Sequence, residues 1–286
     1  MVEAWNDVGV ACHACAASDD ATEAFEYALE LAEEAAAAEA AEAVAVDNVI
    51  AVDTKSDLAS VPLRNLALHL LSAGDLRRAV PLLRRVLEAT ALKHNPAGFV
   101  PVDETFGAGD DLQVDEAAMA QSDPSRIESL VVVDPLVALG YALLLDCDFD
   151  GSTRVYARAL RIVRTHLGPD AAENVRLLEF LALVAFSSGH FDRAEELFRR
   201  TLKVLDGLGR SNIDVDVKRT IANMAQARVR RGKRGPTKPD KRLFAMPIPA
   251  LFSQTASLSS QTAGSAHGEG LVASASLSAL RGAAPR

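Results

Sequence analysis

Residues 178–201, LEFLALVAFSSGHFDRAEELFRRT, contain the pattern that decides the fold. A large apolar residue is followed three residues later by another, and a small residue comes next. A second small residue stands twelve residues further on, a large side chain four after that, and a small, Val or Thr residue three later. The pattern occurs four times, at Trp5, Val8, Gly9, Ala21, Phe25 and Ala28; Leu63, Leu66, Ala67, Ala79, Leu83 and Val86; Leu136, Leu139, Gly140, Ser152, Tyr156 and Ala159; and Leu178, Leu181, Ala182, Ala194, Phe198 and Thr201. Such self-similarity predicts a repeat protein whose units stack into one core.

Each unit is predicted to be a helix, a tight turn and an antiparallel helix. Residues three and four apart lie on one face of a helix, so each half of the pattern forms one apolar stripe. Between the halves, Ser187-Ser188-Gly189-His190 interrupts the apolar rhythm and supplies a glycine for the turn. We expect the small residues where the two helices approach closely, with the large side chain filling the remaining space.

These residues resemble the tetratricopeptide repeat, and their longer register resembles the kinesin light chain variety. The similarity rests on Asn65-Leu66-Ala67 with Gly74-Asp75-Leu76, on Gly189-His190-Phe191 with the run from Ala194 to Arg200, and on the turn Leu167-Gly168-Pro169-Asp170. Cys147 and Gly189 are 42 residues apart, the period of the longer variety. A further half unit begins at Asn223-Met224-Ala225. The resemblance implies an all-α, right-handed α-solenoid of about four to five antiparallel helix pairs.

The chain divides into a repeat domain, residues 1–232, and a C-terminal part, residues 233–286. Within the repeats, the Ala- and Glu-rich stretch Ala35 to Val46 is predicted to lengthen a helix. An insertion at about 96–130, rich in Gly, Pro and Asp, is predicted to be a loop that is either disordered or ligand-binding. The C-terminal part is predicted to be a basic linker and a disordered, low-complexity tail that contains one apolar island, Leu243 to Phe252.

Composition places the chain among ordinary globular proteins of a reducing compartment. The net charge is -9, with carboxylates concentrated in the first fifty residues and cations concentrated in residues 228–242. No run of eighteen apolar residues occurs, so neither a membrane span nor a secretory signal is predicted. Three cysteines cannot form a disulfide scaffold in a chain of this length. We predict a cytoplasmic protein, with the basic run as a possible nuclear-import signal.

The sequence predicts no catalytic, metal or cofactor site. Cys12 and Cys15 form a C-x-x-C pair, but zinc needs four ligands and no second pair exists. We therefore interpret both as small core residues, and Cys147 as structural. The six histidines are scattered, and no nucleophile elbow, Walker loop or dinucleotide fingerprint occurs. A non-enzymatic protein without cofactors is the expectation.

The resemblance implies a scaffold or adaptor that binds a peptide segment of a partner in a concave groove lined by the leading helices. The implied groove residues are Arg64, Asn65, Leu68, Tyr141, Arg176, Glu179, Leu183, Phe186, Arg219, Asn223 and Gln226. Side-chain amides such as those of Asn65 and Asn223 can donate and accept at once, which suits an extended backbone. The tail island 243–252 is a possible intramolecular occupant of the groove.

Two other functions stay open. One is an RNA-associated helical-repeat protein that uses residues 228–242, although the acidic chain and the lack of interleaved aromatic residues argue against nucleic acid. The other is a regulatory subunit of an enzyme complex, with the 96–130 insertion as the ligand-binding segment. No membrane partner is expected.

Overall fold

The computed structural model describes residues 1–45, 55–94, 129–211 and 214–231. These ranges contain nine α-helices, one 3-10 turn at Leu130–Val132 and no strand. The helices are α1 Val2–Ala14, α2 Ser18–Ala45, α3 Lys55–Ala73, α4 Leu76–His94, α5 Val133–Leu145, α6 Phe149–Leu167, α7 Glu173–Ser187, α8 Phe191–Gly207 and α9 Val215–Arg230. None of the helices described is long and apolar enough to cross a membrane.

The first eight helices form four antiparallel pairs. The ninth, α9, packs mainly against α8 and has no second helix of its own in the described ranges. In each pair the leading helix (α1, α3, α5 or α7) contacts its second helix (α2, α4, α6 or α8). Successive units also touch, through contacts of α2 with α3, α4 with α5 and α6 with α7. This arrangement confirms the predicted all-α solenoid. It also confirms the lengthened helix, because α2 continues to Ala45.

Several sequence predictions fall on other parts of the chain. Residues 96–128 of the predicted loop, the predicted linker and tail, and the island Leu243 to Phe252 lie outside the described residues. The predicted domain boundaries therefore stay predictions.

The turn inside each pair uses one left-handed residue. The backbone angle φ is +59° at Ala16, +84° at Gly74, +65° at Cys147 and +85° at Gly189. In each turn the next residue donates its N–H to a carbonyl five positions earlier, at 2.8 to 2.9 Å. This bond is typical of a helix end that satisfies its last carbonyls through a left-handed residue. The regular turn explains why the 42-residue spacing from Cys147 to Gly189 is visible in the sequence.

The repeated apolar pattern forms the core. Its members in the second, third and fourth units are all buried, as are Phe25 and Ala28 of the first, whereas Trp5 and Val8 are partly exposed. At Gly140 a Cβ atom would lie 2.8 Å from the ring of Tyr156, so α5 and α6 approach at a distance only glycine permits. Ser152 donates its hydroxyl proton to the Gly140 carbonyl at 2.7 Å. The predicted roles of the small and large positions are thus confirmed.

The connection between the third and fourth units is held by one side chain. Asn174, which is fully buried, donates its Nδ2 to the carbonyls of Gly168 and Pro169 at 2.8 and 3.0 Å. Gly168 itself adopts a φ of +87°. These bonds fix the direction in which α7 leaves α6, and so the stacking of the fourth unit on the third.

Candidate peptide-binding groove

The predicted groove residues all lie on leading helices. They occupy α3 (Arg64, Asn65, Leu68), α5 (Tyr141), α7 (Arg176, Glu179, Leu183, Phe186) and α9 (Arg219, Asn223, Gln226). Four successive units therefore each contribute one helix. That these side chains together bind a peptide remains a prediction.

The two asparagines are less accessible than the resemblance implies. Asn65 is buried and donates its Nδ2 to Oδ1 of Asn6 on α1 at 2.9 Å, while its own Oδ1 has no partner among the described residues. Asn223 is also buried, on the side of α9 that packs against the fourth unit. Asn65 therefore joins the first unit to the second, and its amide is already half engaged.

The apolar groove candidates are as inaccessible as the core. Leu68, Leu183 and Phe186 all belong to the main cluster of buried apolar residues. Phe186 meets the ring of Phe191, the first residue of α8, edge to face with centroids 5.3 Å apart. These three side chains stabilise their units. A peptide would contact the polar residues that flank them first.

Arg64 carries a donor that has no acceptor. Its Nε atom is buried without a hydrogen-bond partner in the described part of the chain. Burial lowers the pKa of the guanidinium, and the nearby Asp134 carboxylate on α5 offsets only part of that effect. A partly buried cation with an unsatisfied N–H is costly, so an acceptor brought by a ligand would stabilise it.

Arg176 on α7 also carries a buried donor without an acceptor in the described part of the chain. Its Nε is buried without an acceptor among the described residues, and its guanidinium carbon lies 5.7 Å from the centre of the Phe180 ring. Phe180 in turn stacks on Tyr156, with ring centroids 4.8 Å apart. The Tyr156 hydroxyl likewise has no partner in the described residues, and burial raises its pKa well above the usual value. Two buried polar groups without partners in the described ranges, one on α6 and one on α7, thus belong to side chains that contact the same Phe180 ring.

Glu179 and Arg219 join α7 to α9 rather than offering themselves to a ligand. Glu179 is buried and accepts from Nη2 of Arg219 at 2.8 Å and from the hydroxyl of Thr220 at 2.7 Å. Burial alone would lower the pKa of Arg219, but Glu179 and Asp216 raise it. These residues are 40 apart in the sequence, and the repeat pattern gives no signal of the contact. Their evident role is to dock the last helix.

A histidine contact between the first two units was missed by the sequence analysis. Nδ1 of His13 on α1 lies 2.9 Å from Nδ1 of His69 on α3, and Nε2 of His69 lies 3.0 Å from the Thr22 hydroxyl and 3.1 Å from the Ser18 carbonyl. Burial lowers the pKa of His69, and the neighbouring His13 adds to this effect, while the bond to Ser18 opposes it. The two residues are 56 apart, too far for any local spacing rule.

The cysteine interpretation was partly wrong. Cys12 is half-buried and packs against the core, as expected, but Cys15 is exposed just after α1 ends. Cys147 is exposed as well, because it is the left-handed residue of its turn. Within the described ranges no group of three or more His, Cys, Asp or Glu side chains is arranged to hold a metal ion.

Two arginines at the start of the basic run, residues 228–242, form ion pairs with α8 of the fourth unit. Nε of Arg228 donates to Glu195 at 2.9 Å, and Nε of Arg231 lies 2.6 Å from an oxygen of Asp192. The hydrogen bond from Arg228 is the main cause of a lowered pKa at Glu195. Two cations of the predicted nucleic-acid segment therefore serve to attach α9 to α8, and residues 232–242 lie outside the described ranges.

Comparison with known proteins agrees with this geometry. Residues 132–206 match the family model of the tetratricopeptide repeat. The crystal structure of a putative kinesin light chain with nearly identical TPR-like repeats from Podosopora anserina is similar in fold, at 13% sequence identity, with a TM-score of 0.54 over 92% of this chain and 97% of that one. The crystal structure of a single-substitution variant of that protein gives 12% identity and a TM-score of 0.53 over 91% of this chain and 95% of that one. A search of curated protein sequences found no match.

The matched residues cover the third and fourth units, which also have the most regular pattern. Residues 132–206 are thus tetratricopeptide repeats, and the described helices have the fold of kinesin light chain-like repeat proteins. Helical repeats of this class generally present extended surfaces to other proteins.

Proposed function

We propose that the protein is a non-enzymatic scaffold that binds an extended, acidic peptide segment of a partner along its leading helices. Helical-repeat surfaces are suited to this task because neighbouring units offer similar side chains at regular intervals. Binding to a peptide backbone and its carboxylates requires donors, and arginine supplies them in a fixed planar arrangement.

The observation that supports the proposal most strongly is that two leading helices each carry a buried arginine donor without an acceptor in the described part of the chain. Nε of Arg64 on α3 and Nε of Arg176 on α7 are buried without acceptors in the described residues. Buried polar groups in folded proteins are nearly always paired, so orphaned donors suggest a missing acceptor. A carboxylate or carbonyl oxygen of a bound peptide is the simplest one.

Selection from a displayed random-peptide library against the full chain tests the proposal. We expect enriched peptides to carry Asp or Glu. Arg64→Gln and Arg176→Gln should each weaken the selected peptide about tenfold or more, because a hydrogen bond to a charged group contributes roughly 1.5–3 kcal/mol. Circular dichroism verifies that each variant is folded.

Arg85→Gln is the matched control. Arg85 is exposed on α4, a second helix, and pairs with Glu33 at 2.7 Å, so its loss should leave peptide affinity unchanged. Equal effects of all three substitutions, or enrichment with no preference for acidic residues, would contradict the proposal. Deletion of residues 232–286 tests the tail island 243–252 as a competing occupant, since its removal would then strengthen peptide binding.

A further inference from the structure

The last helix, α9, exposes an apolar face. Val215 is 75% exposed, Ile221 43% and Val229 77%, and Ala222 and Ala225 are exposed between them. Successive residues advance by about 100° around a helix. These five side chains therefore fall within one arc of about 120°, opposite the side that buries Val217, Thr220 and Ala227. A terminal repeat helix normally presents a polar outer face.

The repeat pattern indicates that this face lacks the second helix of its unit. Counted in register, Ile221, Met224 and Ala225 correspond to Leu178, Leu181 and Ala182 of the fourth unit. Those three are only 1%, 2% and 0% exposed, because they pack against the second helix of their own unit. The equivalent positions of the second and third units are also buried. Among the described residues, α9 has no second helix of its own. Ile221 and Ala225 on its pairing side are exposed, while Met224 is half-buried against the core.

The chain that directly follows α9 does not carry the matching pattern. In the same register the small, large and closing positions would be Thr237, Lys241 and Phe244. A lysine stands where the other units have Phe, Tyr or Leu.

The charge around the open face is positive. Lys218 lies within the apolar arc and Arg230 lies beside it, and both are exposed. Arg228, at the other edge, donates to Glu195 of α8 at 2.9 Å. The carboxylate of Asp216 is 2.8 Å from Arg219 on the buried side. A second copy docking its own α9 would bring like charges together, which is unfavourable, whereas an acidic helix would complement the face.

We propose that this face binds an acidic amphipathic helix of a partner protein, which takes the place of the missing second helix of the fifth unit. The helix should present a small residue, a large one four later and a small one three after that, as the second helices of this chain do. A helix docked on an exposed apolar face is a common mode of protein recognition. The surface includes neither Arg64 nor Arg176, and its occupation does not depend on the proposed peptide-binding function.

Two synthetic peptides from this chain provide matched probes. Residues 18–34 contain the small–large–small pattern at Ala21, Phe25 and Ala28, with seven carboxylates and no cation. Residues 191–207 contain it at Ala194, Phe198 and Thr201, with four carboxylates and four cations. Fluorescence anisotropy with the full chain should show that peptide 18–34 binds at least tenfold more tightly than peptide 191–207, with the difference shrinking at high salt.

Substitutions locate the binding. Ile221→Glu, at an exposed position, should weaken peptide 18–34 at least tenfold without unfolding the chain. Leu208→Glu is the control, since Leu208 is 39% exposed just beyond α8 and outside this face. Arg85→Gln, at an exposed position on α4 outside both surfaces, should also leave the affinity unchanged.

Four results would overturn the proposal. They are no binding of peptide 18–34 to the full chain, equal affinity for the two peptides, equal losses from Ile221→Glu and Leu208→Glu, and binding that appears only when residues 232–286 are deleted. The last result would make the tail the occupant of the face. A fifth result would also overturn it: self-association that is detected by sedimentation and abolished by Ile221→Glu would make a second copy the occupant of the face.

Discussion

At the residue scale, the four left-handed turn positions differ in side chain. Gly74 and Gly189 adopt positive φ without a steric penalty, whereas Ala16 and Cys147 carry a Cβ in the same conformation. A left-handed residue other than glycine costs roughly 1–2 kcal/mol. Part of that cost is offset because glycine is more disordered in the unfolded chain.

Cys147→Gly is therefore expected to stabilise the protein by about 0.5–1 kcal/mol. Thermal melting should show a rise of roughly 2–4 °C per kcal/mol for a protein of this size. The reciprocal control is Gly74→Ala, where a Cβ would meet no atom within 4 Å, so any loss of stability arises from the backbone alone. Destabilisation by Cys147→Gly would show that the thiol makes a contact that outweighs the strain.

The buried His69 should make the first two units sensitive to acid. Its pKa is lowered in the folded state, mainly by burial, so the unfolded chain binds the extra proton first. The stability that neutral His69 provides is complete above its unfolded pKa of about 6.5 and is lost as the pH falls through the folded value.

Unfolding in urea at about pH 7.5 and about pH 5.5, on either side of that unfolded pKa, measures this effect, with Trp5, the single tryptophan, as a probe of the first unit. Trp5 packs edge to face on Tyr27, with ring centroids 4.9 Å apart. We expect lower stability at the acidic pH and a smaller pH difference in His69→Gln. His94→Gln, at an exposed position at the end of α4, is the control. An unchanged pH difference in His69→Gln would assign the effect to other groups.

At the element scale, the closeness of α5 and α6 depends on Gly140. Because a Cβ atom there would overlap the Tyr156 ring, Gly140→Ala must push the two helices apart or turn the ring. Such overpacking typically costs about 1–3 kcal/mol, which equilibrium unfolding can measure. Gly207→Ala, near the end of α8 with no atom within 4 Å of the new Cβ, should be neutral or slightly stabilising. Equal stability of both variants would mean that the two helices are loosely packed.

The attachment of α9 depends on a buried ion pair, which suggests a local test. Glu179→Gln removes the charge that pairs with Arg219 and should destabilise the docking of α9 by about 2 kcal/mol or more. Hydrogen exchange should rise in α9 and α7 while α1 to α4 stay unchanged, since repeats respond mainly through their neighbours.

Glu196→Gln controls for simple loss of charge on the same unit. Glu196 forms exposed ion pairs with Arg199 and Arg200 on α8, and such pairs contribute little. Uniform loss of protection throughout the chain in Glu179→Gln would mean that the array unfolds as a single cooperative unit.

At the scale of the whole molecule, the sequence predicts contacts within units better than contacts between them. The period and the small and large positions are repeated four times, so each copy supports the others, and Gly140 with Tyr156 could be paired by spacing alone. The hydrogen bonds between His13 and His69, between Asn65 and Asn6, and between Arg219 and Glu179 join residues 40 to 59 apart. They depend on the length of each unit and on how units stack, which a single sequence with insertions does not specify.

The predicted groove also shows that the sequence predicts the position of a residue within its unit better than its contacts with neighbouring units. Spacing correctly assigned every candidate to a leading helix. It could not reveal that Asn65 and Glu179 bind neighbouring helices or that Leu183 is in the core. The unsatisfied donors of Arg64 and Arg176 became apparent only from the packing around them.

Hydrogen exchange of the full chain, with and without an acidic peptide obtained by selection, tests most directly the claim that the leading helices bind the partner. The account predicts added protection in α3, α5 and α7, around Arg64, Tyr141 and Arg176. It predicts no change in α4 and α6, the second helices of the same units. Protection confined to the second helices, or no protection at a peptide concentration that saturates binding, would contradict it.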